Sequence, residues 1–120
     1  MLRAGLVAAA GALGALSRYG IGLAVGVRSF PYATLLINVV GSAVLGYVLA
    51  GPGTHRWSPT TTTAVAVGFL GAFTTFSTFS YETMTMVRTG RAATAGLYVA
   101  LSLLLGVLAA SGGYLLGRDA

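Results

Sequence analysis

Apolar and polar positions divide this chain into four long hydrophobic stretches separated by short polar punctuation. The stretches run from about Ala4 to Val27, Tyr32 to Ala50, Thr60 to Val87 and Ala92 to Leu116. A helix needs roughly 20 mainly apolar residues to cross a hydrocarbon core, and each stretch supplies them. The connectors Arg28-Ser29-Phe30-Pro31, Gly51 to Pro59, and Arg88-Thr89-Gly90-Arg91 read as turns. Pro31 and Pro59 suit a first helical turn, with Ser29 and Ser58 placed to cap it. The pattern predicts an all-α membrane protein with a single four-helix transmembrane domain over residues 1–120. A secretory signal is the rival reading of the N-terminus. The apolar run continues past Arg18 to Val27, longer than a signal's hydrophobic core, so the first stretch reads as a span.

The third stretch departs from the pattern. It is longer than a perpendicular crossing needs at ~1.5 Å per residue. Its centre carries GAFTTFSTF, Gly71 to Phe79, where a lipid-facing helix would carry Leu and Val. Bilayer hydrocarbon offers no water to stray backbone groups, so a break is tolerated only where it is buried in protein or lines a pathway. The pattern predicts two half-helices joined by a non-helical break near Gly71 to Thr75. Their ends would point partial charges at the membrane midplane, an arrangement that builds ion sites in transport proteins.

Composition agrees with a bilayer setting. Of 120 residues, 56% are hydrophobic and 8% charged, and the mean hydropathy is +0.85, which leaves too little polar surface to coat a soluble globule. The chain has no cysteine, which excludes a disulfide framework or a thiolate metal site. A net charge of +5 would suggest nucleic acid in a soluble domain. Here the basic residues are single arginines near span ends, where they reach headgroups, so nucleic-acid binding is not expected. Arg3, Arg56 and Arg118 fall on one side, Arg28, Arg88 and Arg91 on the other. Because arginines near the spans set orientation, this tie predicts insertion both ways round and an antiparallel pair with its two-fold axis in the membrane plane. The alternative is one topology fixed by Arg3 or by a partner subunit. Gly22 with Gly26, Gly113 with Gly117, and Ser42 with Gly46 form small-xxx-small pairs that allow close helix approach, although glycine is common in spans generally.

Groups for enzymatic chemistry are sparse. His55 stands alone beside Arg56 and Trp57, and Glu82 and Asp119 are far apart, so no nucleophile–base pair or metal cluster is suggested and no enzyme is expected. Inside the spans the pattern is different. Thr34, Asn38 and Ser42 lie at i, i+4 and i+8 on one stripe of the second span, with Asn38 near mid-membrane. A buried amide is costly unless paired. Judged alone, Asn38 fits either an interhelical bond or a pathway lining. Tyr98 and Ser102 repeat the four-residue spacing on the fourth span, where Ser often bonds back to its own helix. Phe76 and Phe79 share a face with the hydroxyls of their half-helix. Phenylalanines usually fill space, yet ring edges carry positive charge density, so edges beside amide and hydroxyl donors suit an anion. Glu82 is the only intramembrane carboxylate, and Arg18 is a fixed positive charge that raises local anion concentration.

Three blocks make the pattern specific: GALGALSRY (Gly11 to Tyr19), TLLINVVGS (Thr34 to Ser42) and GFLGAFTTFSTFSYE (Gly68 to Glu82). Together they resemble the signature blocks of the CrcB/Fluc fluoride channels, and the resemblance extends over essentially the whole chain. It implies an antiparallel, dual-topology homodimer in the cell membrane (the inner membrane of bacteria), with two fluoride pores lined by both subunits. It also implies a structural sodium ion at the dimer axis, held by main-chain carbonyls matching Gly71 and Thr74. Asn38, Phe76 and Phe79 match pore residues, with Thr34, Thr75 and Ser77 as neighbouring hydroxyls. Tyr98 and Ser102 match a polar track, Arg18 a vestibule arginine and Glu82 a glutamate near the pore. The track departs from the family at Gly106, which has no hydroxyl; water or Ser111 would have to substitute. The implied activity is passive export of fluoride that entered as hydrogen fluoride and was trapped by ionisation in the cytoplasm.

Two other classes compete. Small multidrug exporters share the length, four spans and dual topology, but proton-coupled cation transport is expected to need a carboxylate in the first span, where this chain has Arg18. A non-conducting subunit of a larger complex would leave Asn38 as an interhelical tie.

Overall fold

The computed structural model describes all residues, Met1–Ala120, and contains only helices and turns. Four helical stretches are long and apolar enough to cross a membrane: Leu2–Val25, Tyr32–His55, Pro59–Arg88 and Ala92–Arg118. The molecule measures 49 × 30 × 21 Å. Its long axis thus reaches slightly beyond a bilayer with headgroups, ~40–45 Å thick.

Helix α1 (Leu2–Val25) stops two residues earlier than its hydropathy suggested. Gly26 takes φ 74°, a conformation that favours glycine. Arg28 Nε donates to the Val25 carbonyl at 3.0 Å, satisfying one acceptor left free at the helix end. Helix α2 (Tyr32–Ala50) follows with Pro31 at the capping position and no side-chain cap. Ser29 therefore does not cap it; its carbonyl instead accepts Arg91 Nη1 at 2.6 Å. The second connector holds one short turn, α3 (Pro52–His55). Ser58 does cap α4 (Pro59–Thr63): its hydroxyl accepts the Thr61 amide at 3.2 Å, and Pro59 occupies the first turn.

The third span then changes character twice. Residues Ala64–Leu70 form a π-helical segment, which hydropathy did not reveal, and α5 (Gly71–Phe73) continues from it. At Thr74 and Thr75 the backbone becomes extended, with ψ 156° and 116°. Gly71 is thus helical, and the break is narrower than the Gly71–Thr75 interval. The chain restarts as α6 (Phe76–Arg88), whose first turn is capped by Thr75: the Thr78 amide donates to its hydroxyl at 3.3 Å. Gly90, at φ 81°, turns the chain into α7 (Ala92–Arg118).

Helices α2 and α7 form the most extensive pair. Glycines make that closeness sterically feasible. A Cβ at Gly113 would overlap the Ala43 carbonyl, and one at Gly46 the Ala110 carbonyl. Gly117 and Gly51 meet the facing backbone in the same way. Helix α1 packs against the π-helical segment through Gly14, where a Cβ would overlap the Phe69 carbonyl. Gly22 and Gly26, by contrast, have nothing within 4 Å, so that pair packs no helix within the chain.

Candidate functional site

The interruption at Thr74 and Thr75 is held by one side chain from α2. Asn38 Nδ2 donates to the Thr75 carbonyl at 3.1 Å, and its Oδ1 accepts the Thr75 amide at 2.8 Å. The amide thus pairs with Thr75 as a neighbouring β-strand would, supplying the partners that a helical break forfeits. This reciprocal pair fixes which way the Asn38 amide points and leaves one of its N–H donors over.

Diverting the Thr75 amide to Asn38 has a consequence one turn earlier. The Gly71 carbonyl would have accepted that amide in a continuous helix, and the Thr74 carbonyl would have accepted the Thr78 amide, which goes to Thr75 Oγ1. The Ala72 carbonyl accepts Arg18 Nε at 3.1 Å. Arg18 therefore brings a cation to the C-terminal, electronegative end of the half-helix that finishes at Phe73. The positive end of the α6 dipole begins just across the break.

Beside the break lies a cavity of about 320 Å³, lined by Asn38, Ser42, Thr74, Thr75, Phe76, Phe79 and Ser102, with no charged residue on its wall. Most hydroxyls here are already committed. Ser42 donates to the Asn38 carbonyl at 2.6 Å and Thr74 to the Leu70 carbonyl at 2.9 Å. Thr75 donates to Thr78 Oγ1 at 3.1 Å. Ser102 Oγ, by contrast, is buried with no hydrogen-bond partner, so it does not bond back to its own helix. The rings of Phe76 and Phe79 stand 6.0 Å apart, tilted by 43°.

The remaining sequence-predicted residues sit around this centre rather than in it. Thr34 is buried in a separate groove of about 300 Å³ with Arg18, Thr75 and Thr78. Tyr98 is fully buried; its hydroxyl donates to Glu82 Oε1 at 3.0 Å and its ring contacts Phe79 at 5.0 Å. Ser77 is exposed, 3.4 Å from the Thr75 hydroxyl. Ser111 is exposed and absent from the cavity wall, so it does not replace the hydroxyl missing at Gly106. A Cβ at Gly106 would lie 3.9 Å from Ser42 Oγ, which makes Ser42 the nearest side chain to that gap. Thr78 and Phe30 also belong to these surroundings, although their sequence positions alone do not mark them. Phe30 packs edge-on against Tyr98 at 5.5 Å. Thr78, three residues after the Thr75 cap, was the more findable of the two.

Four spans, the third interrupted around a wall of uncharged donors, define a polytopic helical membrane protein built for transport. The sequence bears this out: residues 5–114 match the family described as CrcB-like protein, Camphor Resistance (CrcB), and the chain belongs to that family. It is 45% identical over 116 residues to the "Fluoride-specific ion channel FluC" of Acidobacterium capsulatum, covering 93% of each chain. The protein of the same name from Idiomarina loihiensis is 43% identical over 106 residues, covering 86% of this chain and 82% of that relative. "Fluoride-specific ion channel FluC 2" of Geobacillus kaustophilus is 44% identical over 112 residues, covering 90% and 87% respectively. These are names of ion channels and not of enzymes.

Proposed function

We propose that this protein is a fluoride-selective channel through which cytoplasmic fluoride leaves the cell passively. The single observation that carries the reading is the cavity at the break. Its wall carries an uncommitted Asn38 N–H, two phenylalanine rings and Ser102, whose unpaired hydroxyl is buried in that wall, with no carboxylate to attract a cation. Donors of this kind replace part of an anion's hydration shell, and weak, multiple contacts let it leave again. Sequence similarity to relatives named for fluoride over nearly their whole length points the same way. A negative cell interior drives anion exit by about 2.3 kcal/mol per 100 mV, so no ATP or proton coupling is needed.

A second copy of the chain completes the pathway in this reading. Phe76 is 80% exposed, and Ser77 and Ser80 beside it are exposed at mid-span. A serine-bearing face next to an interrupted backbone is poorly matched to lipid tails, and an inverted twin laid across it would cover it. The arginine tie supports that antiparallel arrangement. Sodium fits the same place. The Gly71 and Thr74 carbonyls, freed of their helical amide partners, are hard oxygen donors, and two copies would bring two such pairs together. Bound there, the ion would supply positive charge that holds the two breaks together.

Efflux from liposomes containing only this protein tests the reading. Fluoride release with chloride retained is expected. A multidrug exporter would move cations with protons, and a packing subunit would release nothing.

A further inference from the structure

Away from the break, the α1–α2 connector, the adjoining face of α6 and Arg91 border an open cavity of about 350 Å³ whose wall includes Arg28, Ser29, Tyr32, Tyr81, Thr85 and Arg91. Its two arginines come from different connectors, and each is oriented by a main-chain carbonyl: Arg28 Nε on Val25 and Arg91 Nη1 on Ser29. One committed N–H leaves the rest of each planar fork free to donate. Neither guanidinium meets a carboxylate, since the chain's ion pair is Arg118 with Asp119 at the far end of α7. Glu82 shares the cavity wall, but its Oε1 accepts the Tyr98 hydroxyl, and it lies about one turn further from the end of α6 than Thr85. Two positive charges face one negative charge.

Thr85 adds an independent observation. Its Oγ1 is buried with no hydrogen-bond partner, although most threonines of this half-helix find one. An unpaired buried hydroxyl is costly, and a ligand acceptor would relieve it. The cavity is far larger than a monatomic anion, and two planar forks match the spread oxygens of a phosphate group. Tyr32 and Tyr81 stand on the rim, 58% and 63% exposed, as tyrosines do at headgroup level.

We infer that this cavity binds a phosphate-group anion, supplied either by an acidic phospholipid headgroup or by free phosphate. Arg28 and Arg91 clamp it, and the Thr85 hydroxyl, closed off in the unliganded chain, donates to it once the side chain turns toward the cavity. The site does not depend on the transport reading, because its test measures binding and not flux.

The test titrates the full-length protein in neutral detergent with short-chain phosphatidylglycerol, short-chain phosphatidylcholine and inorganic phosphate, counting bound ligand by native mass spectrometry. Phosphatidylglycerol is expected to bind. Arg28→Gln with Arg91→Gln should weaken it by roughly 10- to 30-fold, at about fivefold per arginine near a membrane surface. Arg3→Gln with Arg56→Gln, at the opposite ends of the spans, should leave it unchanged. Arginine-dependent binding of the lipid alone assigns a lipid headgroup. Arginine-dependent binding of inorganic phosphate that displaces the lipid assigns free phosphate as well. Equal binding of both lipids, lipid binding that survives the double substitution, or no binding of either ligand overturns the site. Should the double variant fail to assemble, Thr85→Val is read in the same titration, and unchanged affinity there overturns it.

Discussion

Replacing Asn38 by aspartate separates the two jobs this side chain holds. The retained Oδ can still accept the Thr75 amide, now 2.8 Å from Asn38 Oδ1, so half of the pair that fixes the break survives. Assembly should therefore persist. Flux should not: the spare N–H donor disappears, and an ionised carboxylate repels fluoride in the adjoining cavity. At about 5 Å and an effective dielectric constant of about 20 the repulsion is about 3 kcal/mol. That corresponds to a slowing of roughly 100-fold or more. Asn38→Leu is the contrasting case. It leaves the Thr75 amide and carbonyl both unpaired, at about 1–3 kcal/mol each, and should impair folding as well as flux. The assay is fluoride efflux from liposomes by ion-selective electrode, with size exclusion and thermal melting as the record of assembly. Wild-type efflux from a well-assembled Asn38→Asp variant would remove Asn38 from the pathway.

Other expectations follow from single contacts. Ser102→Ala removes a hydroxyl with no partner in the protein, so melting should be unchanged or slightly raised while fluoride efflux falls about tenfold or more, at about 1.5–3 kcal/mol for a hydrogen bond to a charged group. Gly113→Val should lower the melting temperature, since its Cβ overlaps the Ala43 carbonyl and the α2–α7 seam must open at about 1–3 kcal/mol. Gly112→Val, with nothing within 4 Å, is the control that should melt as the parent does. Replacing sodium by N-methylglucamine should lower the melting temperature of the assembled protein, by the equivalent of about 2.7 kcal/mol if sodium stood at 100 times its dissociation constant. Unchanged melting would remove the proposed ion.

Four spans and an interruption in the third were legible because both rest on local rules. Hydropathy sets the length of each helix, and adjacent β-branched threonines amid glycines mark where a hydrocarbon-filling helix gives out. What escaped depends on how helices sit against each other. Arg18 reads in sequence as a fixed charge near an aqueous vestibule, yet it donates to Ala72, 54 residues away, because Gly14 lets α1 approach the π-helical segment. Ser102 falls on a polar track by resemblance while its residue type favours a bond back to its own helix, and only the packed structure shows that this bond is absent. Ser29 looked like a cap by position, but its carbonyl serves Arg91 instead. The π-helical turns are made of the same apolar residues as an α-helix and left no trace in hydropathy.

Passage of fluoride at the break, in preference to chloride and coupled to no other ion, is what the proposed channel requires. Its most direct test is the reversal potential of current through bilayers containing only this protein, with a tenfold fluoride gradient and symmetrical chloride and pH. Reversal is expected at about 59 mV, the equilibrium potential for a tenfold gradient of a monovalent ion. Reversal near zero, or at a potential that follows an imposed proton gradient, would contradict it.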